Sequence, residues 1–217
     1  MQSNGRMFAY KDFCKSLLDA GANEFALAIH GHIPVLHDFL TQSKGSFYQT
    51  LKGIKNLLAL KQLVITNTVI TKPNYRHLPN IARLLLDCGV RDIQFAFVHV
   101  LGNASKYASS IVARKSMIAP FVHRGLTLGL EKGANMMTEA IPYCFLTGFE
   151  SCVAEERIPE TKVFDLNFTI QNFSFVRRNE GKAKGLCCKK CIYQKKCEGP
   201  WREYPQLFGW SEFRPVH

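Results

Sequence analysis

Residues 63–71 read LVITNTVIT, and this stretch decides the fold class. Seven of its nine residues are β-branched, and such side chains favour strands because they fit a pleated surface. The stretch therefore predicts a buried strand, interrupted at its centre by the amide of Asn67.

Strand and helix patterns alternate on both sides of this stretch. Short apolar runs predict further strands at 25–29 and 93–100, and apolar residues at helical spacing predict helices at 8–20, 47–60, 77–87 and 116–131. Such alternation implies parallel strands joined by right-handed crossovers, and hence an α/β layer or barrel. At roughly 31 residues per strand–helix unit, residues 1–133 would supply about half of a six-strand partial barrel.

Polar residues follow each predicted strand at its carboxyl end, where parallel sheets place their sites. His30 and His32 follow the strand at 25–29, and a polar loop at 102–110 follows the strand at 93–100. His30, His32 and His37 could form a metal triad, the rim of a polar ligand site, or structural hydrogen bonds. Asn67 could contact a ligand or bond within the core, because a buried amide needs partners.

Composition places the chain among globular proteins with an excess of positive charge. Its 217 residues are 47% hydrophobic and carry a formal charge of +11, and no apolar run is long enough to span a bilayer. The first residues lack the pattern of a secretory signal, so we expect a cytoplasmic protein with reduced cysteines. The eight cysteines are then metal ligands, catalytic thiols or core residues.

The strongest chemical signal is Cys188-x2-Cys191-x5-Cys197, because thiolates three residues apart can bind one metal or cluster from a tight turn. Cys144 is the predicted fourth ligand, with Cys187 and Cys152 as the spares. Cys14 and Cys88 lie at apolar positions of predicted helices and are expected in the core.

The metal itself stays open between zinc and an iron–sulfur cluster. Residues 177–202 hold nine basic side chains against two acidic ones, a local +7. Such charge fits an anionic cluster, and it equally fits a zinc module on nucleic acid. Aromatic residues that could stack on bases are not interleaved with these lysines, Tyr193 excepted, which makes nucleic acid the weaker interpretation.

Taken together, these segments resemble the radical S-adenosylmethionine (SAM) enzymes. The resemblance covers residues 4–57, 63–104, 141–150 (beginning IPYC) and 188–216 (beginning CKKCIYQKKC). It implies that residues 1–133 are the carboxyl-terminal half of a (β/α)6 partial barrel. It also implies that residues 134–217 form an auxiliary cluster module of the SPASM or twitch type.

The resemblance carries expectations for individual residues. Ser3 to Arg6 correspond to the exit of the third barrel strand. The residues expected to line SAM are Ala28, His30, Asn67, Val98, His99 and Leu101. One auxiliary [4Fe–4S] cluster is expected on Cys144, Cys188, Cys191 and Cys197, since Trp201 stands where the full SPASM pattern has another cysteine.

The sequence departs from this family in one respect that limits its chemistry. Relatives bind their catalytic cluster through Cys-x3-Cys-x2-Cys, and that motif does not occur here. We therefore expect a radical SAM protein truncated at its amino terminus, inactive alone, with a separate fragment carrying the motif as partner. Its substrate would be a peptide or small molecule, with no membrane partner. There are two alternatives. One is a basic, zinc-binding module that interacts with nucleic acid or protein without catalysis, and the other is an α/β scaffold without a functional site.

Truncation predicts a structural consequence for the strand at 25–29. It would lack a parallel neighbour on one side, and an open apolar edge is a site of aggregation or of pairing with a partner.

Overall fold

The computed structural model describes residues 1–217 and contains a five-stranded sheet whose strands lie side by side in the order of the sequence. They are β1 (Gln2–Ser3), β2 (Glu24–Ala28), β3 (Leu63–Ile70), β4 (Asp92–Phe97) and β5 (Asn135–Glu139). β2 pairs in parallel with β1 and with β3. With right-handed crossovers, sequential order places the connecting helices on one face, as in barrels and unlike doubly wound sheets. The α/β class is thus confirmed.

Helices connect the strands and extend beyond the sheet. They are α1 (Lys11–Asp19), α2 (Pro34–Thr41), α3 (Ser46–Ala59), α4 (Leu78–Asp87), α5 (Asn103–Lys106), α6 (Ala108–Ile111), α7 (Lys115–Glu131), α8 (Phe173–Val176) and α9 (Glu203–Phe208). The short strands β6 (Val163–Phe164) and β7 (Thr169–Ile170) form an antiparallel pair. No helix has the length and apolar character that a membrane crossing needs.

The chain divides into two compact units. Unit 1 consists of residues 1–96 and 120–137, and unit 2 of residues 97–119 and 138–217. The two units group residues by the contacts within each unit. They do not test the predicted domains at 1–133 and 134–217, which stay a prediction.

The structure corrects several predicted elements. Residues 102–110, predicted as a loop, contain α5 and most of α6. β4 ends at Phe97 rather than at residue 100. The sequence pattern also missed β1, α2 and β5, because β1 has two residues and β5 (NMMTE) lacks a β-branched run.

The predicted open edge of β2 is wrong. Gln2 and Ser3 of β1 pair with Ala26 and Leu27, so β1 covers part of that edge. Ser3 and Asn4 therefore lie at the carboxyl end of a parallel strand. β1 itself becomes the edge of the sheet.

β3 is buried on one face only. Val64, Thr66, Thr68 and Ile70 alternate as buried residues, and the Thr68 hydroxyl donates to the carbonyl of Ile29 at 2.8 Å. The opposite face, which carries Asn67, is half-buried.

Helix α3 holds the amino-terminal segment against the sheet. Thr50 donates its hydroxyl to the carbonyl of Asn4 at 2.9 Å, and the buried Asn56 amide donates to the carbonyls of Phe8 and Ala9 at 2.8 and 3.1 Å. Gly53 lies between them, where a Cβ would stand 2.4 Å from the carbonyl oxygen of Gly5. This close approach places the exit of β1 beside β2.

We expect Gly53→Ala to destabilise the protein although alanine favours helices. Its methyl group meets a backbone carbonyl, and overpacking of about 1–3 kcal/mol should outweigh a helix-propensity gain of about 1 kcal/mol. Urea unfolding measures the difference. Lys52→Ala, at an exposed position of the same helix, is the control and should change stability by less than about 0.5 kcal/mol. A more stable Gly53→Ala would contradict the close approach.

Candidate functional site

Five cysteines of unit 2 line one cavity. They are Cys144, Cys187, Cys188, Cys191 and Cys197. The cavity contains about 410 Å³ not filled by protein atoms, part of it open to solvent. The structure thus brings together the four cysteines predicted as ligands and adds Cys187. Cys152, the other spare, is buried and does not line the cavity.

Short hydrogen-bonded turns present these thiols to the cavity. Cys188 lies in the 3₁₀ turn Leu186–Lys190, and the N–H of Cys191 donates to the carbonyl of Cys188 at 3.1 Å. The N–H of Cys197 donates to the carbonyl of Tyr193 at 2.8 Å. Local turns suffice to hold these three, and this is why their spacing was visible in the sequence.

Cys144 reaches the cavity from a distant part of the chain. It lies in the 3₁₀ turn Tyr143–Phe145, directly after Pro142. The carboxyl-terminal residues Phe213, Arg214 and Pro215 complete the wall. Ile192 donates its N–H to the carbonyl of Val216 at 3.0 Å, which ties this tail to the cysteine turns.

Backbone donors point at two of the sulfurs. Gly199 N–H lies 3.3 Å from Cys197 Sγ, and Val216 N–H lies 3.4 Å from Cys191 Sγ. Such donors stabilise thiolates and tune the metal that they bind. Burial, with Cys197 nearby, raises the pKa of Cys144 to about 12, so without a metal this thiol keeps its proton at neutral pH. A metal would have to displace that proton.

No group of three His, Cys, Asp or Glu side chains in residues 1–217 is arranged to hold a single metal ion. The five cysteines line one cavity without being placed as ligands of a single ion.

Buried charges fix the segment that leads to Cys144. Ala140, at the end of β5, has the left-handed φ of 57°, which a side chain disfavours. Its N–H donates to Glu155 Oε1 at 2.7 Å, and its carbonyl accepts from Lys115 Nζ at 2.7 Å. Glu155 Oε1 also accepts from Lys182 Nζ at 3.1 Å. Sequence reasoning missed these residues, because no local pattern shows that a Lys or Glu is buried.

A second buried ion pair lies beside Cys197. Arg177 binds both carboxylate oxygens of Glu198, at 2.9 and 2.8 Å, and its side chain is fully buried. Burial opposes ionisation of Glu198, but hydrogen bonds from Arg177 and Arg178 hold its pKa below the usual value. Two parallel hydrogen bonds between a guanidinium and a carboxylate make a stronger ion pair than a single contact does.

In unit 1, two of the residues predicted to line SAM lie side by side on adjacent strands, level with the carboxyl end of β2. Ala28 of β2 is the register partner of Asn67 of β3. The Asn67 Oδ1 atom is buried without a hydrogen-bond partner.

His30 and His37 serve in hydrogen bonds. His30 Nδ1 accepts from the N–H of Val69 at 3.3 Å, and His37 Nδ1 accepts from the N–H of His30 at 3.1 Å. Burial, with His37 nearby, lowers the pKa of His30 to about 4. Of the three interpretations, the structure favours structural hydrogen bonding for these two residues. His32 stacks on His77 instead.

The remaining three predicted contacts, Val98, His99 and Leu101, follow β4 and belong to unit 2. Val98 is buried and Leu101 is exposed. His99 stacks on Trp201 with ring centroids 4.0 Å apart, and its Nε2 lies 3.3 Å from Glu203 Oε2. The Trp201 indole N–H donates to the carbonyl of Phe97 at 3.4 Å. Trp201, which stands where the full SPASM pattern has another cysteine, therefore has a packing role.

Comparison with known proteins finds likenesses among solved structures. No family model and no curated protein matches the sequence. A solved structure described as "Native anSMEcpe with bound AdoMet" is similar at 15% sequence identity with a TM-score of 0.49. The match covers 61% of this chain and 36% of that chain, so it spans about a third of that protein. The bound AdoMet is a property of that structure.

We expect Glu155→Ala to lower the free energy of unfolding by about 3–5 kcal/mol, because it leaves the buried Lys182 without its counter-charge. Glu155→Ala with Lys182→Met should recover most of the loss, since no unpaired charge then remains buried. Chemical denaturation of the three proteins measures both effects. A double variant as unstable as the single one would instead place the cost in the lost hydrogen bond to Ala140.

Proposed function

We propose that this chain is a radical SAM family protein whose Cys144, Cys188, Cys191 and Cys197 hold an auxiliary [4Fe–4S] cluster. The carboxyl ends of its sheet strands would contribute to binding SAM. A polypeptide carrying Cys-x3-Cys-x2-Cys would supply the catalytic cluster, and a peptide or small molecule would be the substrate.

The main support for the proposal is that cysteines distant in the sequence line one cavity. Cys144 is more than forty residues from the other ligands in sequence, yet it lines the same space. A cluster offers a different iron atom to each thiolate, so its ligands surround a volume, whereas a single zinc ion needs four ligands within about 2.3 Å of one point. Thiols that line a cavity, without meeting at one point, therefore favour the cluster over a zinc ion. Bound there, it would supply one-electron redox chemistry.

The surroundings of the cavity suit an anionic cluster. The backbone N–H groups of Gly199 and Val216 lie within hydrogen-bond distance of two sulfurs. Lys184 lines the cavity, and its Nζ donates to the carbonyl of Gln194 at 2.5 Å. Positive charge and donors near the sulfurs stabilise the ionised thiolates and raise the reduction potential of a cluster.

Substitution of the proposed ligands tests the cluster directly. After anaerobic reconstitution we expect about four iron and four sulfide ions per chain. Cys144→Ser, Cys188→Ser, Cys191→Ser and Cys197→Ser should each lose iron and visible absorbance, because serine binds iron more weakly than a thiolate does. Cys88→Ser, in unit 1, is the matched control and should retain both.

Two outcomes of that experiment would change the assignment. Loss of iron in Cys187→Ser with retention in Cys144→Ser would make Cys187 the fourth ligand. One zinc ion per chain, with no absorbance and no sulfide, would contradict the cluster and support a zinc-binding module.

For SAM, the supporting observation is the unpartnered Oδ1 of Asn67. A buried polar atom without a hydrogen bond costs about 1–3 kcal/mol, and a ligand that donates to it would recover that cost. Asn67 lies beside Ala28, the last residue of β2, and ligands bind to parallel sheets at the carboxyl ends of strands.

We expect Asn67→Ala to weaken SAM binding about tenfold, the effect of one lost hydrogen bond. The free protein should keep its stability, because the substitution removes an unsatisfied atom. Thermal unfolding of the chain measures stability, and equilibrium dialysis with labelled SAM, in the presence of the polypeptide that carries Cys-x3-Cys-x2-Cys, measures binding. Asn23→Ala, at an exposed position, is the control. Unchanged SAM binding in Asn67→Ala would remove Asn67 from the site.

A further inference from the structure

A basic groove lies next to the cysteine cavity in unit 2. Its cationic lining consists of Arg178, Lys184, Lys195 and Lys196. Lys184 and Cys197 line both the groove and the cysteine cavity, so the two spaces adjoin. A molecule bound in the groove would therefore lie against one of the proposed cluster ligands.

The acidic residues of the groove are already engaged. Glu198 is bound by Arg177 and Arg178, and Glu156 accepts from the Tyr143 hydroxyl and lies 3.7 Å from Lys196. Lys195 and Lys196 are exposed. The same contacts engage Arg178 and Lys196, so the positive excess of the groove rests on Lys184 and Lys195. Such an excess attracts acidic partners and accelerates their association.

Two aromatic side chains near the groove, Tyr193 and Trp201, already stack on other rings. Tyr193 stacks on Tyr143 with ring centroids 4.4 Å apart, and Trp201 is 8% exposed and stacks on His99. Binding of single strands depends on free aromatic faces. These two rings are therefore poor platforms for bases, whereas Phe175, whose carbonyl accepts from the groove residue Asn179, is 60% exposed.

Exposed apolar side chains accompany the lysines. Leu186 is 80% exposed and Ile192 is 63% exposed, and both belong to the cysteine turns. Lys189 and Lys190, also exposed, lie between them in sequence. Apolar contacts with a charged rim are the composition of a protein–protein interface.

We propose that the basic groove and these turns form the docking surface for a small acidic electron-carrier protein. The inference rests on the proposed function, since the carrier would exchange electrons with the cluster on Cys197 and its partners. In that exchange a reduced carrier loses one electron and the cluster gains it, with no bond made or broken. Steered encounters of this kind use small, polar interfaces.

The test uses an acidic [2Fe–2S] ferredoxin as the carrier and the reconstituted protein, both anaerobic. Lys195→Glu with Lys196→Glu should weaken ferredoxin binding at least tenfold at low salt and slow its oxidation in stopped flow by a similar factor. Raising the ionic strength should weaken binding to the unmodified protein, because salt screens exposed charges. Lys52→Glu with Lys55→Glu, on α3, makes the same charge change on exposed residues and should alter binding less than twofold.

Each outcome separates this inference from the proposed function. Iron content and reduction by dithionite are measured before any docking experiment. If the cluster is missing, both the electron exchange and the proposed function are overturned. A reducible cluster with equal ferredoxin binding in both double variants, or with binding insensitive to salt, overturns the docking surface alone. The groove would be assigned to nucleic acid instead if a single-stranded oligonucleotide bound more tightly than ferredoxin and its binding were lost in Lys195→Glu with Lys196→Glu.

Discussion

The cysteine cavity depends on how Ala140 is held. This residue takes a left-handed backbone conformation at the end of β5, and the chain then proceeds through Pro142 to Cys144. A non-glycine residue in that conformation is strained unless its surroundings hold it there. Glu155 and Lys115 do so by binding its N–H and its carbonyl, both at 2.7 Å. These two bonds hold the backbone directly before the 3₁₀ turn that carries Cys144.

That arrangement makes the buried charges part of the framework around the cysteine cavity, although none of them lines it. Lys115 is completely buried, and burial together with the nearby Lys182 lowers its pKa well below the usual value. Lys182 neutralises Glu155 and lies 4.1 Å from the centre of the Trp201 ring. The positive segment at 177–202 therefore has two roles. Arg177 and Lys182 are buried in ion pairs that hold the framework, while Lys189, Lys190, Lys195 and Lys196 face solvent.

Much of the fold was predictable because its signals are local. The β-branched run of β3 and the apolar spacing of α3 and α4 each identify an element from a few neighbouring residues. β1 and β5 lack such a signal, since their backbone hydrogen bonds come from strands distant in the sequence. The edge of β2 shows the same limit, because only the folded chain reveals that Gln2 and Ser3 pair with it. Tertiary pairing outweighs propensity in short strands.

The sequence by itself determined the α/β class, the main strands and helices, and a cysteine pattern with metal-ligand spacing, because each follows from residues close together in the chain. Only the tertiary structure decided that Cys144 and Cys187 join Cys188, Cys191 and Cys197 around one cavity. It also decided that His30 and His37 bond to the backbone, and that Arg177 and Lys182 are structural while their neighbours form a basic groove. The physical reason is that burial and convergence arise from contacts between distant segments. A Lys that is fully buried and a Lys that faces solvent are the same letter in the sequence.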